Sequence, residues 1–173
     1  MKSEPVSSGF TLIELLVVLV IISLISAFVG PRVIAPFGGL HIKTATREIA
    51  GALRYNRSRA VSEKVLRVAM MDLGARQVRT FSVEGMTSYV PDDKLSQIPA
   101  DMTYDLPDGV RFKQAVSGED TFETGEFPII FFPNGSSSGG KVVISGDSGR
   151  SFGIAVDAIT GLVEVSEMER EGS

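Results

Sequence analysis

Apolar residues run almost without interruption from Phe10 to Val29, and Glu14 is the only ionisable residue in that stretch. Twenty helical residues extend about 30 Å, which matches the hydrocarbon thickness of a bilayer. Backbone groups in lipid must find their partners within the segment, and this favours a helix. The pattern therefore predicts a transmembrane helix over residues 10–29, preceded by a short polar segment over residues 1–9.

A cleaved secretory signal peptide is the competing interpretation of this N-terminus. Such peptides have a shorter apolar core that ends in small residues suited to cleavage, whereas this run ends at Val29-Gly30-Pro31. A plain uncleaved anchor would not explain Glu14, because a carboxylate near lipid costs about 2.5–3.5 kcal/mol on insertion scales. A charge retained at that cost predicts that Glu14 has a partner.

A hinge is predicted over residues 30–39. Pro31 lacks an amide hydrogen and disfavours helix at Gly30. Pro36 and the Gly38-Gly39 pair follow in the same segment. The helix is therefore expected to weaken after the apolar run, with Pro31 as the helix hinge.

A helical period returns from Leu40 to about Lys64. An apolar stripe with one polar member follows three- and four-residue steps: Ile42, Ala45, Ile49, Ala52, Leu53, Asn56 and Ala60. Between Lys43 and Arg67 the chain carries seven basic and two acidic residues. Most of these charges are predicted to lie on a solvated helix face or to pair with acidic neighbours, and a surface for nucleic acid is the alternative.

Strand patterns follow the second helical segment. Val65 to Leu73 and Gln77 to Glu84 flank Gly74-Ala75 and predict a hairpin. Residues 85–108 contain three prolines and few apolar pairs, so a long surface excursion is expected. Further strands are predicted at 110–113, 127–132, 142–145, 152–156 and 162–165, the second of them covered on both faces. A long helix packed on antiparallel strands gives an α+β fold, with residues 40–173 as one globular domain.

Composition narrows the class of protein. The 173 residues include 17 basic and 21 acidic ones and no cysteine. This balance does not favour a polyanion-binding protein overall, and a disulfide framework is excluded. Lys2 and the initial amine precede the apolar run, which predicts a cytoplasmic N-terminus and a domain on the far side of the membrane.

The segment Gly9-Phe10-Thr11-Leu12-Ile13-Glu14, with the apolar run after it, resembles the leader and N-terminal helix of type IV pilins and type II secretion pseudopilins. The resemblance implies a leader peptide over residues 1–9, which a prepilin peptidase cuts after Gly9, and N-methylation of Phe10. It also implies that Glu14 meets the terminal amine of a neighbouring subunit during assembly. That pair would give the carboxylate its partner and set the stagger between subunits.

A second resemblance covers the C-terminal half. Phe131 to Gly140, Ile154 to Asp157 and Thr160 to Val163 are similar to segments of the H-type minor pseudopilins of type II secretion, and minor pilins of the FimT and FimU kind share this plan. The family has a pilin-like fold, in which a long N-terminal helix with a membrane part and an amphipathic part packs on antiparallel sheet. Leu162 stands where a basic residue is common in the family.

Two apparent catalytic motifs are incomplete. Gly135 to Lys141 has the spacing of a phosphate loop, but Val142 replaces the Ser or Thr that would hold magnesium. Gly146-Asp147-Ser148-Gly149 resembles the surroundings of a protease nucleophile, but the one histidine, His41, is a poor candidate for its base. Both segments are interpreted as turns. The sequence predicts neither an enzyme nor a site for a cofactor or a small-molecule substrate. It shows no pattern of metal ligands, and the resemblance leaves calcium at an acidic loop open, since major pseudopilins bind it.

The predicted function is that of a minor pseudopilin, a structural subunit near the tip of the type II secretion pseudopilus that supports export of folded proteins. The implied partners are other minor pseudopilins, the major pseudopilin, the prepilin peptidase, the inner membrane and its assembly platform. The expected location is the bacterial inner membrane, crossed once, with the domain in the periplasm. The alternative is a type IV minor pilin that acts in pilus assembly or DNA uptake, although the acidic segment from Glu164 to Ser173 disfavours DNA there.

Overall fold

The computed structural model describes residues 11–34, 38–85, 95 and 98–168. Two helices precede nine strands in the described residues: α1 Leu12–Ile34, α2 Gly38–Glu63, β1 Leu66–Asp72, β2 Gln77–Val83, β3 Met102–Asp105, β4 Val110–Ser117, β5 Asp120–Phe122, β6 Glu126–Phe131, β7 Gly140–Gly146, β8 Ser151–Val156 and β9 Val163–Met168. The chain divides into two compact units, Met1–Phe37 and Gly38–Ser173. Helix α1 belongs to the first unit, and α2 with these strands belongs to the second.

Helix α1 continues through Gly30 and Pro31 to Ile34, and α2 already includes Gly38. The expected weakening therefore does not interrupt the helix at residues 30–34. A proline inside a helix removes one backbone hydrogen bond and costs about 3 kcal/mol. The hydrogen-bonded helical turns before and after Pro31 offset this cost. Residues 35–37 lie outside the described residues, and the role of Pro31 as a hinge stays a prediction.

In α1 the side chains are described as far as Ser26, and among the described residues no helix is both long enough and apolar enough to cross a membrane. The predicted span over residues 10–29 extends beyond these side chains at both ends and stays a prediction.

The second unit contains two antiparallel sheets. The first has the strand order β3-β2-β1-β6, and the second has the order β5-β4-β7-β8-β9. Helix α2 packs on both sheets with the stripe that its period predicts: Ile42, Ala45, Ile49, Leu53, Asn56 and Ala60 are all buried. The α+β fold is confirmed, because the amphipathic helix buries its apolar face against antiparallel strands.

Strand β1 is buried on both faces of the first sheet. Ala69 and Met71 contribute to the main core, whereas Val68 and Met70 contribute to a second cluster on the opposite face. Leu95, which is 1% exposed, belongs to that second cluster. Leu95, from the segment expected to be a surface excursion, therefore packs on the first sheet, and Met102–Asp105 of the same segment form β3, which pairs with β2.

Most other strand predictions are confirmed. The hairpin is β1 and β2 with a regular register from Leu66↔Val83 to Asp72↔Gln77. In β6 alternate residues reach the two clusters, Ile129 the main core and Ile130 the second one. The predicted two-sided cover of β6 is therefore correct.

Candidate assembly site

Helix α1 begins with a cap that Thr11 provides. The Glu14 amide donates to the Thr11 carbonyl oxygen at 3.1 Å and to Thr11 Oγ1 at 3.3 Å. A threonine three residues before a glutamate is the sequence of a capping box, in which the N-cap side chain satisfies an amide of the first turn. The Glu14 carboxylate also interacts favourably with the positive end of the helix dipole. Thr11 and Glu14 together fix where the described helix begins.

The described side chains of α1 form an uncovered apolar surface. Every residue from Leu12 to Ser26 is exposed, including Leu12 at 86% and Ile25 at 57%. Exposing apolar area costs about 25 cal/mol per Å², so a surface of this extent favours contact with lipid or with other helices. Among the described residues, Glu14 is the only charge on that surface and has no ion-pair partner.

The other predicted assembly residues lie elsewhere. Gly9 and Phe10 are outside the described residues. Pro31 is in the last turns of α1. The processing of Gly9 and Phe10 and the pairing of Glu14 therefore stay predictions.

Two C-terminal segments that carry the family resemblance contact each other. The Ser137 amide donates to the Ala158 carbonyl oxygen at 2.9 Å, and Ser137 Oγ donates to the Asp157 carbonyl oxygen at 2.9 Å. The turn before β7 is thereby attached to the turn between β8 and β9. Sequence reasoning assigned these residues to separate turns, because nothing in the spacing indicates that the turns meet.

Arg57 of α2 joins both turns. Its Nε donates to the carbonyl oxygens of Gly135 at 3.1 Å and Thr160 at 2.9 Å. Gly161 has φ +65°, and a Cβ built there would lie 2.3 Å from the Gly135 oxygen and 2.8 Å from Arg57 Nε. Only glycine fits this junction, since it accepts a positive φ and leaves room for the crossing backbone.

Asp157 closes the second turn. Its Oδ1 accepts hydrogen bonds from the Thr160 hydroxyl at 2.7 Å, the Thr160 amide at 2.7 Å and the Ile159 amide at 3.1 Å. These bonds, the Thr160 hydroxyl first, lower the pKa of Asp157 below its ordinary value. The Asp157-to-Gly161 segment is therefore a hydrogen-bonded turn that positions the start of β9.

The basic residues of α2 and β1 are mostly engaged within the domain. Arg54 donates to the Val163 carbonyl oxygen at 3.0 Å, and Arg59 pairs with Glu63 and lies over the Tyr55 ring. Together with Arg57, three of the basic side chains for which a solvated face was the alternative therefore make contacts within the domain. The predicted pairing with acidic neighbours is correct for Arg59, whereas Arg54 and Arg57 use backbone carbonyls instead.

Arg67 is buried, with 4% of its surface exposed, and it hydrogen-bonds to Asn56, the polar residue of the α2 stripe. Its Nε donates to Asn56 Oδ1 at 3.1 Å, its Nη1 to Glu63 at 3.1 Å and its Nη2 to Asp101 at 2.6 Å. Three acceptors satisfy the guanidinium, as burial of a charge requires. Arg67 thus ties α2, β1 and the residue before β3 together.

Tyr104 of β3 makes a separate polar contact with α2. Its hydroxyl hydrogen-bonds to the Glu48 carboxylate, and burial first, then this bond and the charge of Glu48, raise the pKa of Tyr104. The phenol is therefore held neutral, because ionisation would place a second negative charge beside Glu48.

Neither apparent catalytic motif forms a site. Lys141 lies in β7, and the following Val142 is buried in the core. Ser148 is in the turn between β7 and β8, and its buried Oγ has no hydrogen-bond partner among the described residues. His41 is exposed on α2, and no hydrogen bond joins it to Ser148. The described residues also contain no cluster of three His, Cys, Asp or Glu side chains that could hold a metal ion.

A capped apolar helix with one carboxylate in its first turn, followed by a helix packed on antiparallel sheets, defines a pilin-like protein. Residues 6–30 match the family model of the prokaryotic N-terminal methylation motif. Residues 45–160 match the family model of the type II transport protein GspH. The chain belongs to the GspH family and is a minor pseudopilin, as the sequence predicted.

Solved structures share this fold. Two structures of the minor pseudopilin EpsH from the type 2 secretion system of Vibrio cholerae are 11% identical to this chain. One has a TM-score of 0.52 and covers 72% of this chain and 95% of EpsH, and the other has 0.53 and covers 77% and 96%. The type IV minor pilin FimU of Pseudomonas aeruginosa is 15% identical over 78% of this chain and 94% of FimU, with a TM-score of 0.49. Comparison with curated proteins gives no match.

The family and the methylation motif indicate a membrane-anchored pilin-like subunit that assembles with other pseudopilins and is processed by a prepilin peptidase. The family is structural and is not known for catalysis.

Proposed function

We propose that this minor pseudopilin is inserted in the bacterial inner membrane, processed, and incorporated near the tip of a type II secretion pseudopilus. The observation that carries the proposal is the uncovered apolar surface of α1 with Glu14 in its first turn. Lipid covers such a surface before assembly, and neighbouring helices cover it afterwards. Glu14 belongs to the capping sequence of α1, and as the one charge on this apolar surface it is also expected to pair with a charge that arrives during assembly.

The N-terminal steps follow from the family motif. A prepilin peptidase cleaves after Gly9 on the cytoplasmic side and methylates Phe10, so that Glu14 becomes the fifth residue of the mature chain. The carboxylate then pairs with the terminal amine of a neighbouring subunit. A polar pair among apolar helices is satisfied in one register only, and it therefore sets the stagger between subunits.

The globular unit serves as a contact module rather than an enzyme. The turn after β6 and the turn between β8 and β9 are held by hydrogen bonds that involve Arg57 and Ser137, so these turns stabilise the domain. In this proposal it contacts other minor pseudopilins and the major pseudopilin in the periplasm, while the inner-membrane platform drives assembly. The growing filament supports passage of folded proteins through the outer membrane.

A role in DNA uptake is less well supported by the same contacts. Arg54, Arg57, Arg59 and Arg67 make hydrogen bonds or ion pairs within the domain, which leaves the exposed Lys43, Arg47 and Lys64 of the seven basic residues for phosphates. Binding by counterion release needs exposed Lys and Arg side chains. A gel-shift titration of the full chain in detergent at low salt is expected to show no DNA binding, and salt-sensitive binding would revive this role.

The proposal is tested by mass spectrometry of the N-terminal peptide from native membranes, with and without the prepilin peptidase. The mature chain is expected to begin at N-methylated Phe10 only when the peptidase is present. Gly9→Val is expected to leave the unprocessed chain, since a β-branched residue fits the cleavage site poorly. A chain that begins at Met1 in every case would overturn the assembly mechanism.

A further inference from the structure

The described sheets end in four edge strands that differ in how well they are protected. β3 has four residues and β5 has three, so neither offers a long row of backbone groups. β6 and β9 have six residues each. These two edges decide whether another chain can add a strand to the domain.

The β6 edge is blocked along the described chain. The Ile130 amide donates to Ser138 Oγ at 3.0 Å, and its carbonyl oxygen accepts from the Ser138 amide at 2.8 Å. Two residues earlier, Pro128 faces the same side and has no amide hydrogen. An incoming strand would therefore find no regular set of donors and acceptors on β6.

Within the part of the chain that the structure describes, the β9 edge is protected only at its start. The Leu162 carbonyl oxygen accepts from the Asp157 amide at 3.0 Å, so the even-numbered residues of β9 face β8. The backbone N–H and C=O groups of the odd-numbered residues therefore point away from β8, toward the free side of the strand. Among these groups, the Val163 carbonyl oxygen accepts a hydrogen bond from Arg54 at 3.0 Å. Beyond it, the outward amides and carbonyls of Val165 and Glu167 make no hydrogen bond among the described residues.

Side-chain charge indicates what kind of strand fits this edge. Val165 is 42% exposed, and Glu164 is exposed with no ion pair among the described residues. Glu167 is already paired with Arg150 at 2.6 Å. The sequence from Glu164 to Ser173 has four glutamates and one arginine. A second copy of this strand would bring like charges together, whereas a basic segment would be attracted.

We propose that the outward edge of β9 at Val165 and Glu167 accepts an extended segment of another pilin-like subunit that carries basic side chains. Backbone hydrogen bonds to the free edge would supply affinity, and Glu164 would supply charge selectivity, as in β-strand addition. This inference rests on the proposed function, because it requires assembly with other pilin-like subunits.

The backbone step is tested with Val165→Pro and Val165→Thr in the full chain in native membranes. The Val165 amide points outward, so Val165→Pro removes an edge donor and blocks an incoming strand while keeping the pairing with β8. A photo-crosslinking residue at the exposed Ser166 of β9 reports the neighbour and keeps Glu164, and one at the exposed Thr121 of β5 is the matched position off this edge.

We expect crosslinking from position 166 to an extended basic segment of a pilin-like subunit. The loss of one backbone hydrogen bond, together with the clash between the proline ring and the incoming strand, predicts about a tenfold reduction or more in Val165→Pro and little change in Val165→Thr. Unchanged crosslinking in Val165→Pro, or crosslinks only to helical or acidic segments, would overturn the inference.

The charge selectivity assigned to Glu164 is tested separately, so this test does not depend on whether Val165→Pro folds. Glu164→Lys and Glu119→Lys make the same change of charge, the second in the exposed turn between β4 and β5. Recovery of the crosslinked subunit with the full chain is expected to fall severalfold for Glu164→Lys alone. Equal recovery with both variants would contradict the charge selectivity.

Failure of this inference is distinct from failure of the proposed function. If wild-type chain is cleaved after Gly9 and recovered with pilin-like subunits while the β9 variants behave as wild type, only the edge contact is wrong. If wild-type chain is neither processed nor recovered with such subunits, the proposed function is wrong as well.

Discussion

The Nε atom of Arg67 lies 3.1 Å from Oδ1 of Asn56, inside the contact between β1 and α2. Asn56 is 1% exposed and its side-chain amide also donates to the Ala52 carbonyl oxygen at 2.8 Å. The one polar member of the α2 stripe therefore has both ends satisfied. This pair explains how a helix can carry an asparagine on its buried face.

Replacing Arg67 with Met is expected to destabilise the domain by about 3 kcal/mol, because Asn56 loses a buried donor and two carboxylates lose their shared cation. Urea unfolding of the full chain in detergent, followed by circular dichroism, measures this change. Arg59→Met is the matched control. Its exposed pair with Glu63 contributes at most about 1 kcal/mol. Equal losses in the two variants would contradict a special role for the buried guanidinium.

Gly161→Ala is expected to destabilise the domain by more than about 3 kcal/mol, since its Cβ would lie 2.3 Å from the Gly135 oxygen in addition to the cost of a positive φ. Gly149→Ala separates the two effects. Gly149 has φ +74° and open space around the Cβ position, so only the backbone cost of about 1–2 kcal/mol applies. The same unfolding measurement compares them, and similar losses would show that the junction with Gly135 and Arg57 adds nothing.

The pH dependence of stability is expected to change in Thr160→Val. The Thr160 hydroxyl is the first cause that lowers the pKa of Asp157, so Asp157 contributes stability above its unfolded pKa of about 4. That contribution is lost as pH falls through the lower folded pKa. Thermal unfolding between pH 7 and pH 2 should therefore show a smaller acid loss in Thr160→Val than in wild type. Serine at this position keeps the hydroxyl and should behave as wild type, and identical acid profiles for all three proteins would contradict this account.

The sequence predicted the elements whose periodicity is local. The stripe from Ile42 to Ala60 and the hairpin around Gly74-Ala75 follow from spacing alone. The apolar run with Glu14 indicated the class of protein, because a single charge there has few explanations.

What the sequence did not predict depends on contacts between distant segments. Leu95 lies among prolines and polar residues, so no period marked it as core. Arg67 was one of seven basic residues, and only the position of Asn56 across the interface makes it internal. Similarly, spacing could not indicate that Ser138 covers β6 or that Arg54 covers the first residue of β9, and these two contacts single out the later part of the β9 edge.

The last prediction concerns Glu14. Glu14→Leu is expected to leave membrane insertion and cleavage intact, since it removes the only ionisable residue of the apolar run and does not alter Gly9 or Phe10. Incorporation into the filament should fall by about tenfold or more, because the carboxylate that selects the register is gone.

Ser23→Leu is the control for Glu14→Leu, since it also replaces a polar residue of α1 with leucine. The Ser23 hydroxyl donates only to the Leu19 carbonyl oxygen within the helix, at 2.8 Å, so it has no role in register. Crosslinking to other pseudopilins and secretion of a folded exoprotein measure both variants. If Glu14→Leu co-assembles and secretes as well as Ser23→Leu, the carboxylate does not set the stagger, and the uncovered apolar surface alone must direct assembly.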